Sequence, residues 1–140
     1  MNNADLHILI AEDEITHAIA MRRMLEKRYP DARIEVVDSV SEYRNSIAAA
    51  RPSIALLDLN LTDGCTLDLL TAPAAAPAFP VVMMSSYASK QVAADAVKVG
   101  AVDFIIKSPE VFLSIADIVE KTMHEWDLHQ EMNGGQQTLP

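Results

Sequence analysis

The chain has 140 residues, half of them apolar and 22% charged, with 11 Lys and Arg against 20 Asp and Glu. That length suits one domain, the composition excludes wholesale disorder, and a net charge of −9 argues against direct binding to nucleic acid. No apolar run of about 20 residues exists to span a membrane, and the first residues lack the basic end and apolar core of a secretory signal.

Leu6 to Ala11 is a short, nearly continuous apolar run, as expected of a parallel strand covered on both faces. It ends in three acids, Glu12, Asp13 and Glu14. A helix to Tyr29 follows, with Ile15, Ala18, Ile19, Leu25 and Tyr29 predicted on one face and Pro30 closing it. Ile34 to Val37 is a second strand. Ser39 and Glu42 have capping-box spacing and open a helix to about Arg51. Ile54 to Leu57 is the third strand, with Asp58 at its end. A polar turn, Asn60 to Gly64, leads to a short helix around Leu67 to Leu70, then to an Ala- and Pro-rich connection over 71–80.

Val81 to Met84 is the fourth strand, ending in Ser85 and Ser86. Ser89 is the predicted cap of a helix with Val92, Ala93, Ala96 and Val97 inward, and Gly100 is its stop. Val102 to Ile106 is the fifth strand, ending at Lys107. After Pro109, one helix is predicted with Val111, Phe112, Ile115, Ile118, Val119, Thr122 and Trp126 along a stripe. Met132 to Pro140, with its Gly-Gly pair, is expected to fray. Five strands alternating with five helices predict an α/β fold: an open five-stranded parallel sheet with helices on both faces. Ligands of such sheets bind beyond the carboxyl ends of the strands.

The unusual polar residues all stand at those ends: Glu12 and Asp13 after strand one, Asp58 after strand three, Ser85 after strand four, Lys107 after strand five. Three converging carboxylates repel unless a cation sits among them. With only oxygen donors at hand, the set selects a hard cation, Mg²⁺, and the backbone carbonyl of Asn60 is placed to add an oxygen. A lysine and a hydroxyl opposite metal-bound carboxylates suggest a phosphoryl group.

These fragments resemble a response-regulator receiver domain of bacterial two-component signalling. The resemblance rests on Ile-Leu-Ile-Ala-Glu-Asp-Glu at 8–14, Ala-Leu-Leu-Asp-Leu-Asn-Leu at 55–61, Val-Val-Met-Met-Ser-Ser at 81–86 and Asp-Phe-Ile-Ile-Lys at 103–107. Spacings of 45, 27 and 22 residues separate Asp13, Asp58, Ser85 and Lys107. It implies a flavodoxin-like (βα)5 fold of strand order 2-1-3-4-5, a receiver over residues 5–122, and an extended helix end and flexible tail over 123–140. It further implies that Asp58 accepts a phosphoryl group from a sensor histidine kinase or phosphotransfer protein. Glu12, Asp13, Asp58 and the Asn60 carbonyl would hold Mg²⁺ or Mn²⁺; Ser85 and Lys107 would bind the phosphoryl group; Ser85 and Phe104 would switch. The face of helix four, strand five and helix five would then change its contacts with a downstream protein or fused output domain.

Several positions depart from the family pattern. Glu12 replaces the commoner Asp, Thr62 and Thr66 stand where Pro and Gly are frequent, and Ser108 separates Lys107 from Pro109. An aspartyl-nucleophile phosphatase of the haloacid-dehalogenase type is disfavoured, since its second Asp is Asn60 here and its motif belongs on the first strand. An interaction module independent of phosphorylation is the alternative, although such a scaffold has no need of Asp13, Asp58, Ser85 and Lys107 together. The scattered histidines are assigned no role. The lone Cys65 excludes an internal disulfide and fits a cytoplasmic protein. Residues 122–132 are expected to pair with a second copy or lead into a coiled-coil linker. The acidity itself is uneven: Glu12, Asp13, Glu14 and Asp58 less Lys107 leave −3 at the site, while six acids against Lys121 leave −5 in residues 110–140.

Overall fold

Three strands are buried at every position, and their sequences explain why. In β1 (His7–Ala11), β3 (Ile54–Asp58) and β4 (Val81–Ser85), both faces of the chain carry mostly apolar side chains. In β2 (Arg33–Val37) and β5 (Asp103–Ile106), charged residues reach solvent, which suits the two edges. The computed structural model describes residues 3–70, 78–87 and 89–138, with residue 3 and residues 133–138 by backbone alone. The five strands form one parallel sheet of order β2-β1-β3-β4-β5, as expected.

Strand alternation divides the core in two. Ile8, Ile10, Ile54, Leu56, Val82 and Met84 point to one face, where Met21 and Leu25 of α1 (Ile15–Arg28) and Phe112, Ile115 and Val119 cover them. Leu9, Ala11, Ala55, Leu57, Val81 and Met83 point to the other, under Tyr43 of α2 (Val40–Ala49), Leu67 of α3 (Leu67–Leu70) and Ala96 of α4 (Lys90–Lys98). The predicted caps form: Ser39 Oγ accepts from the Glu42 N–H at 3.0 Å and Ser89 Oγ from the Val92 N–H at 3.2 Å. Glu42 reaches back to the Asp38 N–H, one residue before the cap, rather than to Ser39 itself. Gly100 takes φ +120°, the positive region a helix stop favours.

Four expectations are corrected. On α1 the buried arc is Ala18, Met21 and Leu25, whereas Ile15 is 74% and Ile19 44% exposed. At about 100° per residue these two isoleucines lie roughly 90–130° from the centre of that arc. On α4 only Ala96 is fully buried, Val92 and Ala93 are half-buried, and Val97 is exposed, because the helix meets the sheet along a single line. The final helix is two: α5 (Pro109–Leu113) and α6 (Ile115–Thr138). At Ser114 the N–H is shared between the carbonyls of Glu110 (3.2 Å) and Val111 (3.0 Å), a tightened turn rather than a full stop. Lastly, α6 continues through Gly134 and Gly135 to Thr138, past the fraying expected from Met132. Glycine weakens a helix by about 1 kcal/mol but, unlike proline, removes no hydrogen bond. Of the connection expected over 71–80, residues 71–77 lie outside the described residues, as do 139–140 of the tail.

Two polar knots brace this frame. Arg28 forks from the end of α1 onto Asp117 and Glu120 of α6, at 2.5 Å each. Glu35 of β2 accepts from Ser46 Oγ of α2 at 2.8 Å and pairs with His7 Nε2 of β1 at 2.9 Å. Burial pushes the Glu35 carboxyl up, but its Ser46 and His7 hydrogen bonds outweigh burial and hold it below the usual range. A depressed carboxyl stabilises the fold above its unfolded pKa, and that stabilisation is lost as pH falls through the folded value. Glu35→Gln should therefore lower Tm at pH 7 and make the decline between pH 5 and pH 3 shallower, read by thermal melts across that range. Separately, Ile115→Ala should cost about 2–5 kcal/mol in urea unfolding, against less than about 0.5 kcal/mol for exposed Val97→Ala.

Candidate functional site

The site forms because four neighbouring strands, β1, β3, β4 and β5, stop at the same level. Register pairs Ala11 with Leu57, Asp58 with Met84 and Ser85 with Ile106, so the residues that follow share one edge. Glu12 extends β1 by one bond, its N–H donating to the Val37 carbonyl at 2.9 Å. Lys107 does the same for β5, donating its N–H to Ser85 O at 2.8 Å.

Side chains then converge. Lys107 Nζ lies 2.9 Å from Glu12 Oε1 and 2.8 Å from Asp58 Oδ2, and all three groups are almost fully removed from solvent. Oxygens of Glu12, Asp13 and Asp58 lie within 4.8 Å of one another, the single such cluster of potential metal ligands among the described residues. Burial, reinforced by the neighbouring Asp58, pushes the Glu12 carboxyl up to about 7, although the Lys107 bond opposes the shift. Burial also works against the Lys107 ammonium, yet its bonds to Asp58 and Glu12 prevail and raise its pKa. One lysine thus leaves the carboxylates under-compensated. Oxygen donors alone, with excess negative charge, fit a hard divalent cation.

The other predicted residues take distinct places. Asn60 donates its N–H to Asp58 Oδ1 at 3.2 Å. Ser85 is buried at the same edge, and its Oγ accepts from the Tyr87 N–H at 3.2 Å. Phe104 is half-buried against the second core cluster. Ser108, the inserted residue, has a structural use: its Oγ accepts from the Val111 N–H at 3.1 Å and caps α5, with Pro109 as the first helical residue. The peptide bond after Lys107 is trans.

Two neighbours were assigned no role at the site from sequence. His17 sits on the first turns of α1 with Nδ1 3.8 Å from Glu12 Oε1 and 3.2 Å from Glu14 Oε2, its ring centroid 5.0 Å from that of Phe112. The signal was its position three residues after Glu14, on the helix that the acids open. Thr66 is wholly buried, and its Oγ1 donates to the Asp58 carbonyl at 2.7 Å. The signal there was a threonine in a glycine's usual place.

The family model described as the response regulator receiver domain matches residues 8–122. Methanogenesis regulatory protein FilR1 of Methanothrix harundinacea is 30% identical over 135 residues, covering 92% of this chain but only 30% of FilR1. Among solved structures, a CheY-like receiver domain protein from Methanospirillum hungatei superposes with TM-score 0.75 at 22% identity, over 89% of this chain and 98% of that one. The Mn²⁺-bound form of response regulator Rcp1 gives TM-score 0.73 at 18% identity, over 81% and 91%. These two share the fold. Sheet order, the strand-end constellation and the family match agree: the chain belongs to the response-regulator receiver family of two-component signalling.

Proposed function

We propose that this receiver is a phosphoacceptor switch in which Asp58 takes a phosphoryl group from a phosphohistidine on a sensor histidine kinase or a phosphotransfer protein. The observation that carries the reading is the buried ammonium of Lys107 held between Glu12 and Asp58. A cation that tightly flanked by carboxylates, at the edge where sheet ligands bind, is placed to meet an incoming anion.

Glu12, Asp13, Asp58 and the carbonyl of Asn60 would hold Mg²⁺ or Mn²⁺. When bound, such an ion neutralises the carboxylates and polarises the phosphoryl oxygens. An Asp58 carboxylate oxygen forms the new P–O bond as the P–N bond to the donor imidazole breaks; that imidazole, protonated on its other ring nitrogen, keeps the P–N electron pair and leaves as the neutral ring. Lys107 Nζ binds a phosphoryl oxygen. Ser85 Oγ already accepts from Tyr87, which leaves its own proton to donate to another. The chain's chemistry is limited to accepting and losing this group, with no turnover of an external substrate. Phe104 on β5 relays the change to the face of α4, β5 and α6, where a downstream protein or fused output domain reads it.

Incubation with acetyl phosphate and Mg²⁺ should add one phosphoryl mass to the intact chain. Asp58→Asn should abolish the gain and Lys107→Ala should slow it by at least about tenfold, as loss of a single positioned charge does; a gain that survives Asp58→Asn overturns the assignment. In thermal melts, Mg²⁺ at about 100 times its Kd should stabilise the protein by about 2.7 kcal/mol. Asp13→Ala should remove most of that effect, and an unchanged Tm in the parent chain would count against a metal at this edge.

A further inference from the structure

Between Asp58 and α3 the chain makes a small closed ribbon. Asn60–Leu61 runs antiparallel to Gly64–Cys65, pairing Asn60 with Cys65 and Leu61 with Gly64. The ribbon is pinned at both ends. At its base, Thr66 donates its N–H to Leu59 O at 2.8 Å, and its Oγ1 lies 2.7 Å from Asp58 O and 3.1 Å from Leu59 O. At its tip, Asp63 accepts from the Val40 N–H at 2.7 Å and the Ser41 N–H at 3.2 Å, the first two amides of α2. Gly64, at φ +156°, lets the chain turn between these anchors, beside Val40.

From this we infer that Thr66 is a positioning residue for the phosphoacceptor site, fixing through its buried hydroxyl the backbone that sets Asp58 and Asn60, with Asp63 bracing the far end. The inference rests on the receiver reading above. Asp58 is the last residue of its strand, and beyond it the ladder offers only the Leu59 N–H to Met84 O bond. That bond holds the Asp58–Leu59 peptide from its N–H side alone, and leaves the carbonyl side to be fixed. Thr66 supplies that hold on the Asp58 carbonyl, two bonds from the side chain that must meet the phosphorus. By closing the ribbon at Leu59 it also fixes the direction of the Asn60 peptide, whose N–H already rests on Asp58 Oδ1. Glycine, frequent at this position in the family, can supply the backbone bond but not the hydroxyl. The hydroxyl is wholly buried and both its neighbours are carbonyls, so donation is its single use there.

The test compares Thr66→Val, which keeps the shape and loses the donor, with Thr66→Ser, which keeps the donor. Three readouts are taken on the full chain: Mg²⁺ affinity by titration, phosphoryl gain from acetyl phosphate, and hydrogen exchange at the Asn60 amide without metal. Thr66→Val should weaken Mg²⁺ binding by about tenfold, slow phosphoryl gain by about 10–100-fold, and speed Asn60 exchange. Thr66→Ser should restore all three to within about threefold of the parent chain. If Thr66→Val does not fold, exposed Asp63→Ala serves instead, and should speed Asn60 exchange and weaken Mg²⁺ binding in the same direction. A parent chain that neither binds Mg²⁺ nor gains a phosphoryl group removes the receiver reading and this inference with it. Where the parent does both, a Thr66→Val protein equal to it, or a Thr66→Ser protein as impaired as Thr66→Val, removes the positioning role alone.

Discussion

One ammonium group organises this molecule's working edge. Lys107 Nζ sits between Glu12 and Asp58 at 2.9 and 2.8 Å, with little solvent to screen it. Burying charges is costly, and the lysine offsets part of that cost by bonding both carboxylates. Its position depends in turn on β5 ending where it does, because the Lys107 N–H bonds Ser85 O and so fixes the root of the side chain. The sheet edge is therefore held in register by electrostatics as well as by backbone bonds. One lysine faces three carboxylates, so the edge retains a demand for positive charge; burial, with Asp58 beside it, raises the Glu12 carboxyl.

The two-faced core supplies the rigidity this arrangement needs. Each central strand sends alternate side chains to opposite layers, so a slip of one strand would turn its whole apolar set to the wrong side. The strand ends, and the charges on them, cannot drift independently. The glutamate at position 12 fits the same logic. Its extra methylene, compared with aspartate, carries the carboxylate to Lys107 through one oxygen while the other accepts the Glu14 N–H at 3.2 Å.

The sheet and the site were legible in sequence for one reason: short apolar runs that end abruptly in charge leave both their length and their terminus visible. Glu12, Asp13, Asp58 and Lys107 meet as their positions imply. Helix orientation was less legible. Apolar residues on α1 cover an arc wider than its buried line, so Ile15 and Ile19 could not be told from Met21 by composition. The turn at Ser114 was hidden because the apolar stripe runs through it, from Phe112 to Ile115 and Val119, with nearly continuous hydrogen bonding. The ribbon after Asp58 was hidden too, since two-residue strands carry no period and a capping aspartate such as Asp63 bonds a helix far from it in sequence.

The C-terminal helix has a mechanical side. Ile115, Ala116, Val119 and Thr122 seat its first two turns, and Arg28 grips Asp117 and Glu120 from α1. Beyond Thr122 the backbone continues as helix to Thr138 while its described side chains, Met123 and Trp126 aside, are exposed. At 1.5 Å per residue that outer segment is about 24 Å long. A rod of this length, clamped at one end, multiplies motion: tilting its seat by about 5° carries the tip by about 2 Å. Its fulcrum is the salt-bridged junction with α1, the helix that opens two residues after Asp13.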